Sequence, residues 1–315
     1  MFPVVAVDFG GTHIRAAYFP SEEPETGSQT KLKTLAKEGP DAVIGRIENA
    51  IRSVLPSKQE GLRIGIAAPG PLDPFSGKVL STPNLPGWEG VNLANRISES
   101  LGCPVWINND ANLAAVGEWK HGAGRGVNDV LYLTISTGIG GGVITQGKLL
   151  LGSSGLAGEL GHMKVTPEGP LCGCGQYGHL EAIASGPSIT RIARERLKAG
   201  EDSNLLGFVN TLEDLNPEIL GQAAQEGDPL ALSVIQDAGK AIGSHLASLV
   251  HAFNPARIVL GGGVSQLGSL LFIPIQQTLE DEILHPAYLR NLKILPAELG
   301  DDAGLIGAMV YARQN

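Results

Sequence analysis

The chain has 315 residues, 43% of them hydrophobic, with 43 glycines, three cysteines and a formal net charge of −9. That length supports two domains, or one large α/β unit, with a substantial core. The acidic balance argues against nucleic acid as a partner, and three cysteines do not build a disulfide framework. No run is long and apolar enough to cross a membrane, and the opening MFPVVAVDFGGTH lacks the basic-then-apolar order of a signal peptide, so a cytoplasmic protein without membrane contacts is expected.

In chain order, VVAVDF and IRAAYF are short apolar runs joined by GGTH, which predicts a strand, a glycine turn and a returning strand. PSEEPETGSQTK reads as a polar loop. LRIGIAAPG and CPVWINND are further strands, and ANLAAVGEW after them has helical spacing. Cys103, alone in LGCPVWI, is expected to be a buried apolar side chain. DVLYLTISTGIGGGVITQGKLLLG then repeats the opening design of strand, glycine turn and strand, which suggests an internal duplication. GPSITRIARERLKAG and DPLALSVIQDAGKAIGSHLASLVHAF are helical. ARIVLGGGV is a strand entering a glycine turn, and DDAGLIGAMVYARQ is a C-terminal helix.

Three glycine turns thus follow three strands. Backbone N–H groups in such turns can cradle phosphate, because glycine allows close approach. Hairpins also use glycine for purely structural reasons, and none of the three turns has dinucleotide-binding or Walker spacing. Asp8, two positions ahead of Gly10-Gly11-Thr12, fits a carboxylate that holds Mg²⁺ directly or through water. It equally fits an Asx-type turn. In GHMKVTPEGPLCGCGQYGHLE, Cys172 and Cys174 lie between His162 and His179, so the four are either metal ligands or packing residues.

Taken together, VDFGGTHIR, INNDANLAAVGE, LTISTGIGGGVI, GELGHMKVTPEGPLCGCGQYGHLEAIASG and IVLGGGV occur in the order seen in the ROK family (repressor, open reading frame, kinase). The chain resembles that family from about residue 4 to its C-terminus. The resemblance implies an α/β, actin/hexokinase-like fold, a duplicated ribonuclease H-like unit of two domains with a cleft between them. The small domain would hold residues 1–118 and a C-terminal helix at about 302–315; the large one would hold 119–301 and a zinc-binding loop.

Matched position by position, the resemblance implies that Asp8, Gly10, Gly11 and Thr12 form the first phosphate motif and Thr137 and Gly138 the second. Gly261 and Gly262 match the adenosine-side motif. Asn84, Asn109, Glu159, His162 and Glu181 match sugar contacts, and Asp110 matches the catalytic base. His13 replaces the lysine that often follows the threonine. The implied cofactors are ATP, Mg²⁺ and a structural Zn²⁺ held by His162, Cys172, Cys174 and His179; at the last position the family usually has cysteine.

These roles agree with the chemistry. Phosphoryl transfer needs positioning, charge neutralisation and one carboxylate to accept the hydroxyl proton. Asp110 follows a strand and opens a helix, a rigid mount, although a helix N-cap is its ordinary structural use. Glu159 and Glu181 are either surface charges or bidentate acceptors for sugar hydroxyls. The expected activity is ATP-dependent phosphorylation of the 6-hydroxyl of a hexose. PNLPGW and GELGH…HLEA are most similar to the members that act on glucose. N-acetylmannosamine, N-acetylglucosamine, fructose and allose remain as substrates, and a non-catalytic sugar-sensing regulator remains as another class. Family repressors carry a helix-turn-helix ahead of the kinase-like body, and the first strand here begins too near Met1 to leave room for one. A homodimer or homotetramer is expected.

Overall fold

The computed structural model describes residues 2–56, 60–81 and 85–315. Asn84 lies outside the described residues. The chain opens with strands β1 (Val4–Phe9), β2 (His13–Phe19) and β3 (Ser28–Lys33), followed by helix α1 (Pro40–Val54) and strand β4 (Arg63–Ala68). A short ribbon, β5 (Leu72–Asp73) and β6 (Lys78–Val79), precedes helix α2 (Leu93–Leu101), strand β7 (Val105–Asn109) and helix α3 (Asp110–His121). The strands form a sheet of order β3-β2-β1-β4-β7. β1, β2 and β3 are an antiparallel meander, while β4 and β7 add in parallel.

One face of the sheet sends Phe9, Ile14, Ile64, Ile66 and Ile107 into a core closed by Ile47 and Ile51 of α1 and by Trp88. The Phe9 and Trp88 rings lie 4.9 Å apart. The expected polar loop at residues 20–31 gives way to β3 from Ser28 onward. β3 is the sheet's edge, and its exposed face tolerates the Gln, Lys and Ser that disguised it as a loop. Cys103, expected to be buried, is half-buried at the border of this core, where its thiol donates to the Leu101 carbonyl at 3.5 Å.

A second sheet has the order β10-β9-β8-β11-β12, built from β8 (Val130–Ile135), β9 (Ile139–Thr145), β10 (Lys148–Leu149), β11 (Arg257–Gly261) and β12 (Lys293–Pro296). It repeats the plan of the first, a three-strand meander with two further strands beyond its first member, as the paired glycine hairpins suggest. Between β10 and β11 come α4 (Glu181–Ala184), α5 (Gly186–Lys198), α6 (Pro217–Gln225) and α7 (Pro229–Phe253). α8 (Ser269–Glu282) precedes β12, and α9 (Ala303–Gln314) ends the chain. Side-chain caps start the middle helices: Asn216 accepts from Ile219 N–H at 3.0 Å, and Asp228 from Ala231 N–H at 2.8 Å.

The chain divides into two compact units. One comprises Met1–Tyr132, Gly142–Gly158 and Ala297–Asn315, and the other Leu133–Gly141 and Glu159–Pro296. Within the first unit, the buried Glu118 carboxylate on α3 accepts N–H bonds from Ala123 at 2.9 Å, Glu298 at 3.2 Å and Leu299 at 2.8 Å. Three such bonds compensate the cost of burying the charge and fix the segment that leads into α9. Among the described residues, no helix is long and apolar enough to cross a membrane.

Candidate active site

The first glycine turn joins β1 to β2. Gly10 N–H donates to the His13 carbonyl at 2.9 Å, and Thr34 Oγ1 donates to the Gly10 carbonyl at 2.6 Å. Thr34 N–H donates to the Thr12 carbonyl at 2.9 Å. The turn is thus held by its carbonyls, and among the described residues no hydrogen bond engages the N–H groups of Gly11 and Thr12. Those exposed donors are what an anion would use. Asp8 is the penultimate residue of β1, three positions ahead of Gly11. Burial pushes its carboxyl above the usual carboxylate range; Arg15 opposes this, while Asp301 and Asp302 reinforce it. Arg15 donates to the Asp301 carbonyl at 2.6 Å and pairs with the Asp302 carboxylate. A carboxyl held up by burial and two neighbouring acids is one that a bound dication would return to its charged form.

At the β7–α3 junction, the N-cap is the residue before Asp110. Asn109 Oδ1 accepts from Ala111 N–H at 2.9 Å and from Asn112 N–H at 3.3 Å, so Asn109 is the cap. Asp110 is the first residue of the helix, exposed, with Oδ1 2.8 Å from Ala111 N. Both residue types cap helices well, so sequence alone does not separate them. Beneath them, Asn108 Oδ1 accepts from Asn109 N–H at 2.8 Å and from Asn112 Nδ2 at 3.3 Å, which ties the end of the strand to the first turn of the helix.

In the second unit, the glycine turn between β8 and β9 meets the metal-candidate loop. Glu181, at the start of α4, accepts Ile139 N–H at 3.0 Å through Oε2 and lies 3.5 Å from Cys172 Sγ through Oε1. A Cβ on Gly138 would stand 2.6 Å from Glu181 Oε2, so glycine lets the carboxylate approach, and any larger residue there would make that side chain shift. Thr137, Gly138, Glu181 and Cys172 are therefore one neighbourhood.

His162, Cys172, Cys174 and His179 place one ligand atom each within 4.8 Å of all the others. Cys172 Sγ is 3.7 Å from His162 Nδ1, and Cys174 Sγ is 3.2 Å from His179 Nδ1. Tetrahedral zinc with bonds of about 2.0–2.3 Å sets its ligand atoms about 3.3–3.8 Å apart. The spacing and the donor set both fit that ion. Burial, with the Glu181 carboxylate and Cys174 nearby, pushes the Cys172 thiol up to about 11, a bias that a bound cation opposes. The loop is a small hairpin closed by bridges between Lys164 and His179 and between Leu171 and Tyr177. Glu159 is exposed at the head of the turn Leu160–His162.

The third glycine turn leaves β11 at Gly261-Gly262 and enters a short 3-10 turn, Gly263–Leu267. Ser136 and Thr137 of the second turn and Gly263 and Val264 of the third line one cavity of about 560 Å³. Its other walls are the start and inner face of α5 and the segment Leu215–Glu218 that enters α6. That volume lies within the usual range of ligand pockets, about 300–1,000 Å³.

The residues singled out in the sequence thus fall into two groups. Asp8, Gly10, Gly11, Thr12, Asn109 and Asp110 belong to the first unit, and Thr137, Gly138, Glu159, His162, Cys172, Cys174, His179, Glu181, Gly261 and Gly262 to the second. The sequence reading overlooks two side chains of the second unit. His245 is buried on α7, its ring hydrogen-bonded to the Leu160 backbone, and Nε2 has no partner among the described residues. Burial depresses its pKa to about 4. The other is Arg194, on the cavity wall. A histidine on the apolar stripe of α7 is the one signal that could have drawn attention to the first.

The ROK family model matches residues 4–315, and the chain belongs to that family. Among its relatives, the glucokinase of Thermotoga maritima is 37% identical over 305 residues, 97% of this chain and 95% of that protein. The glucokinase of Halalkalibacterium halodurans is 37% identical over 315 residues, 98% of this chain and 94% of that one. A solved ROK family glucokinase from Streptomyces griseus, in complex with glucose and AMPPNP, superimposes with a TM-score of 0.81 at 34% identity, covering 99% of this chain and 100% of that one. The fold is accordingly the α/β, actin/hexokinase-like one.

Proposed function

We propose that the chain is a glucokinase, transferring the terminal phosphoryl group of ATP to the 6-hydroxyl of glucose. The observation that carries this reading is at the β7–α3 junction: Asn109 performs the capping, and Asp110 stands exposed at the first position of α3. A sugar-binding regulator has no need of a base there. Relatives with the same activity, 37% identical over nearly the whole chain, support it.

In the reaction, the 6-hydroxyl oxygen attacks the γ-phosphorus, the bond to the bridging oxygen breaks, and ADP leaves. Asp110 accepts the hydroxyl proton as the new P–O bond forms. The carboxylates of Glu159 and Glu181, with Asn84, Asn109 and His162, are the proposed acceptors and donors for the sugar's other hydroxyls. A site of this kind discriminates against analogues that leave its polar groups unpaired. The free N–H groups of Gly11 and Thr12 would hold phosphate oxygens, with Gly10 shaping the turn. The cavity bounded by Thr137 and Gly263 would take the nucleoside, with Gly138, Gly261 and Gly262 keeping the adjoining backbone close. Asp8 would hold Mg²⁺, which supplies charge neutralisation on the phosphates when bound.

His162, Cys172, Cys174 and His179 would hold a structural Zn²⁺. Two thiolates and two neutral imidazoles offset its double charge, a neutral site where a third cysteine would give a net charge of −1. The four positions leave no opening for a catalytic water, so the ion's contribution is to fix the loop that carries His162 and adjoins Glu181. A cytoplasmic assembly of two or four copies belongs to the same proposal.

A coupled assay of ATP consumption over glucose, N-acetylmannosamine, N-acetylglucosamine, fructose and allose tests the reading. Glucose should give the highest kcat/KM. A different preferred sugar would overturn the substrate, and no turnover with any sugar would favour the sensing alternative.

A further inference from the structure

We infer that Arg194 is a positioning residue for the phosphoryl donor: its guanidinium holds the loop wall of the cavity in place for the nucleotide. This rests on reading that cavity as the nucleoside site.

Arg194 lies on α5 and itself lines the cavity. Its Nε donates to the Leu212 carbonyl at 2.6 Å, and its Nη2 to the carbonyls of Glu213 and Leu215, both at 2.8 Å. The three acceptors belong to one turn, Leu212–Asp214, and the residue after it. The turn closes on itself through Thr211, whose N–H donates to Asp214 Oδ2 at 3.0 Å. Thr211, Glu213 and Asp214 are exposed, and the buried Leu215 and the Arg194 bonds fasten the turn to the unit. Leu215, Asn216, Pro217 and Glu218, which follow directly, form one side of the cavity, while Thr190 and Arg194 of α5 form another. The guanidinium is thus the tie between two walls.

The residue type is informative. Three carbonyls met through Nε and Nη2 match the planar fork of arginine, and an ammonium on a flexible stem cannot reproduce that geometry. Among the described residues, no carboxylate pairs with Arg194; its charge rests on carbonyl dipoles alone. It therefore leaves positive potential in the wall, partly balanced by Glu218 on the rim, and this favours a polyanionic ligand over a neutral one.

The test compares binding of Mg²⁺–ADP and of glucose, by calorimetry, in the full chain and in three variants. Gly263→Phe fills the cavity: a Cβ there meets no atom within 4 Å, so the ring enters open space without displacing backbone. Arg194→Met keeps the length of the side chain and removes every donor, and Arg194→Lys keeps the charge without the fork. The inference predicts that Gly263→Phe loses ADP binding, that Arg194→Met weakens it about tenfold or more, the scale of one or two lost hydrogen bonds, and that Arg194→Lys falls between. Glucose affinity should stay within about twofold of the original in all three, as expected for sites that share no residue. ADP binding unchanged in Gly263→Phe would remove the underlying cavity reading. ADP binding lost in Gly263→Phe but unchanged in both Arg194 variants would overturn the role of Arg194. Equal loss of ADP and glucose in the Arg194 variants, with a lower melting temperature, would also overturn it, by showing general destabilisation. If Arg194→Met does not fold, Arg194→Lys decides.

Discussion

The buried histidine of α7 makes stability depend on pH in a way that one substitution should remove. His245 has a folded pKa of about 4, depressed chiefly by burial, against an ordinary value of 6.5. The folded protein therefore keeps the ring neutral, while the unfolded chain takes up a proton below pH 6.5. Stability contributed by the neutral ring is complete above that value and is lost as pH falls towards 4. The full difference corresponds to about 3 kcal/mol, of which about 2 kcal/mol falls between pH 7.5 and pH 5. Urea unfolding at those two pH values measures the loss in the original chain and in His245→Asn. Asparagine retains a donor near the position of Nδ1 for the Leu160 carbonyl but does not titrate. Carboxylate protonation and any metal release occur in both proteins and cancel in the comparison. The variant should lose about 2 kcal/mol less on acidification than the original chain. Equal losses in the two proteins, or a His245 resonance that titrates above pH 6, would refute the reasoning.

Asp110→Asn should lower kcat by about a hundredfold to ten-thousandfold, with glucose affinity within about tenfold, because the amide keeps the shape but cannot take the proton; steady-state kinetics and calorimetry check the two halves. Elemental analysis should find one zinc per chain. His179→Ala should lose metal and glucose affinity together, while His179→Cys keeps both; metal-free protein with an unchanged KM for glucose would contradict this. Gly138→Ala should push the Glu181 carboxylate aside and break the 3.0 Å bond from Ile139 N–H, costing about 0.5–1.5 kcal/mol in thermal or urea unfolding and raising the KM for glucose.

What the sequence makes legible is local. VVAVDF and IRAAYF carry their apolar runs and their turn within 16 residues, and the structure forms β1 and β2 there. The recurrence of that pattern at residues 130–145 anticipates two sheets of one plan. The histidines and cysteines of the 162–179 loop are close in sequence and converge in space. Features that depend on distant pairings are not legible. Nothing near Gly138 announces that a carboxylate 43 residues later will rest against it. The histidine that holds the Leu160 carbonyl comes from a helix 85 residues further on. The guanidinium of Arg194 reads as an ordinary helix-surface charge until the turn at Leu212–Asp214 folds back over it. Which of Asn109 and Asp110 caps α3 is illegible for another reason: both types cap helices, and only backbone geometry decides where the first turn begins.

The central claim is that the chain moves a phosphoryl group onto the 6-hydroxyl of glucose with Asp110 as the base. Its most direct test is ATP-dependent formation of glucose 6-phosphate, followed through a dehydrogenase specific for that product, in the original chain and in Asp110→Asn side by side. The account predicts steady product formation by the first and nearly none by the second at saturating glucose and ATP. ATP consumption that yields no glucose 6-phosphate, or similar rates in the two proteins, would contradict it.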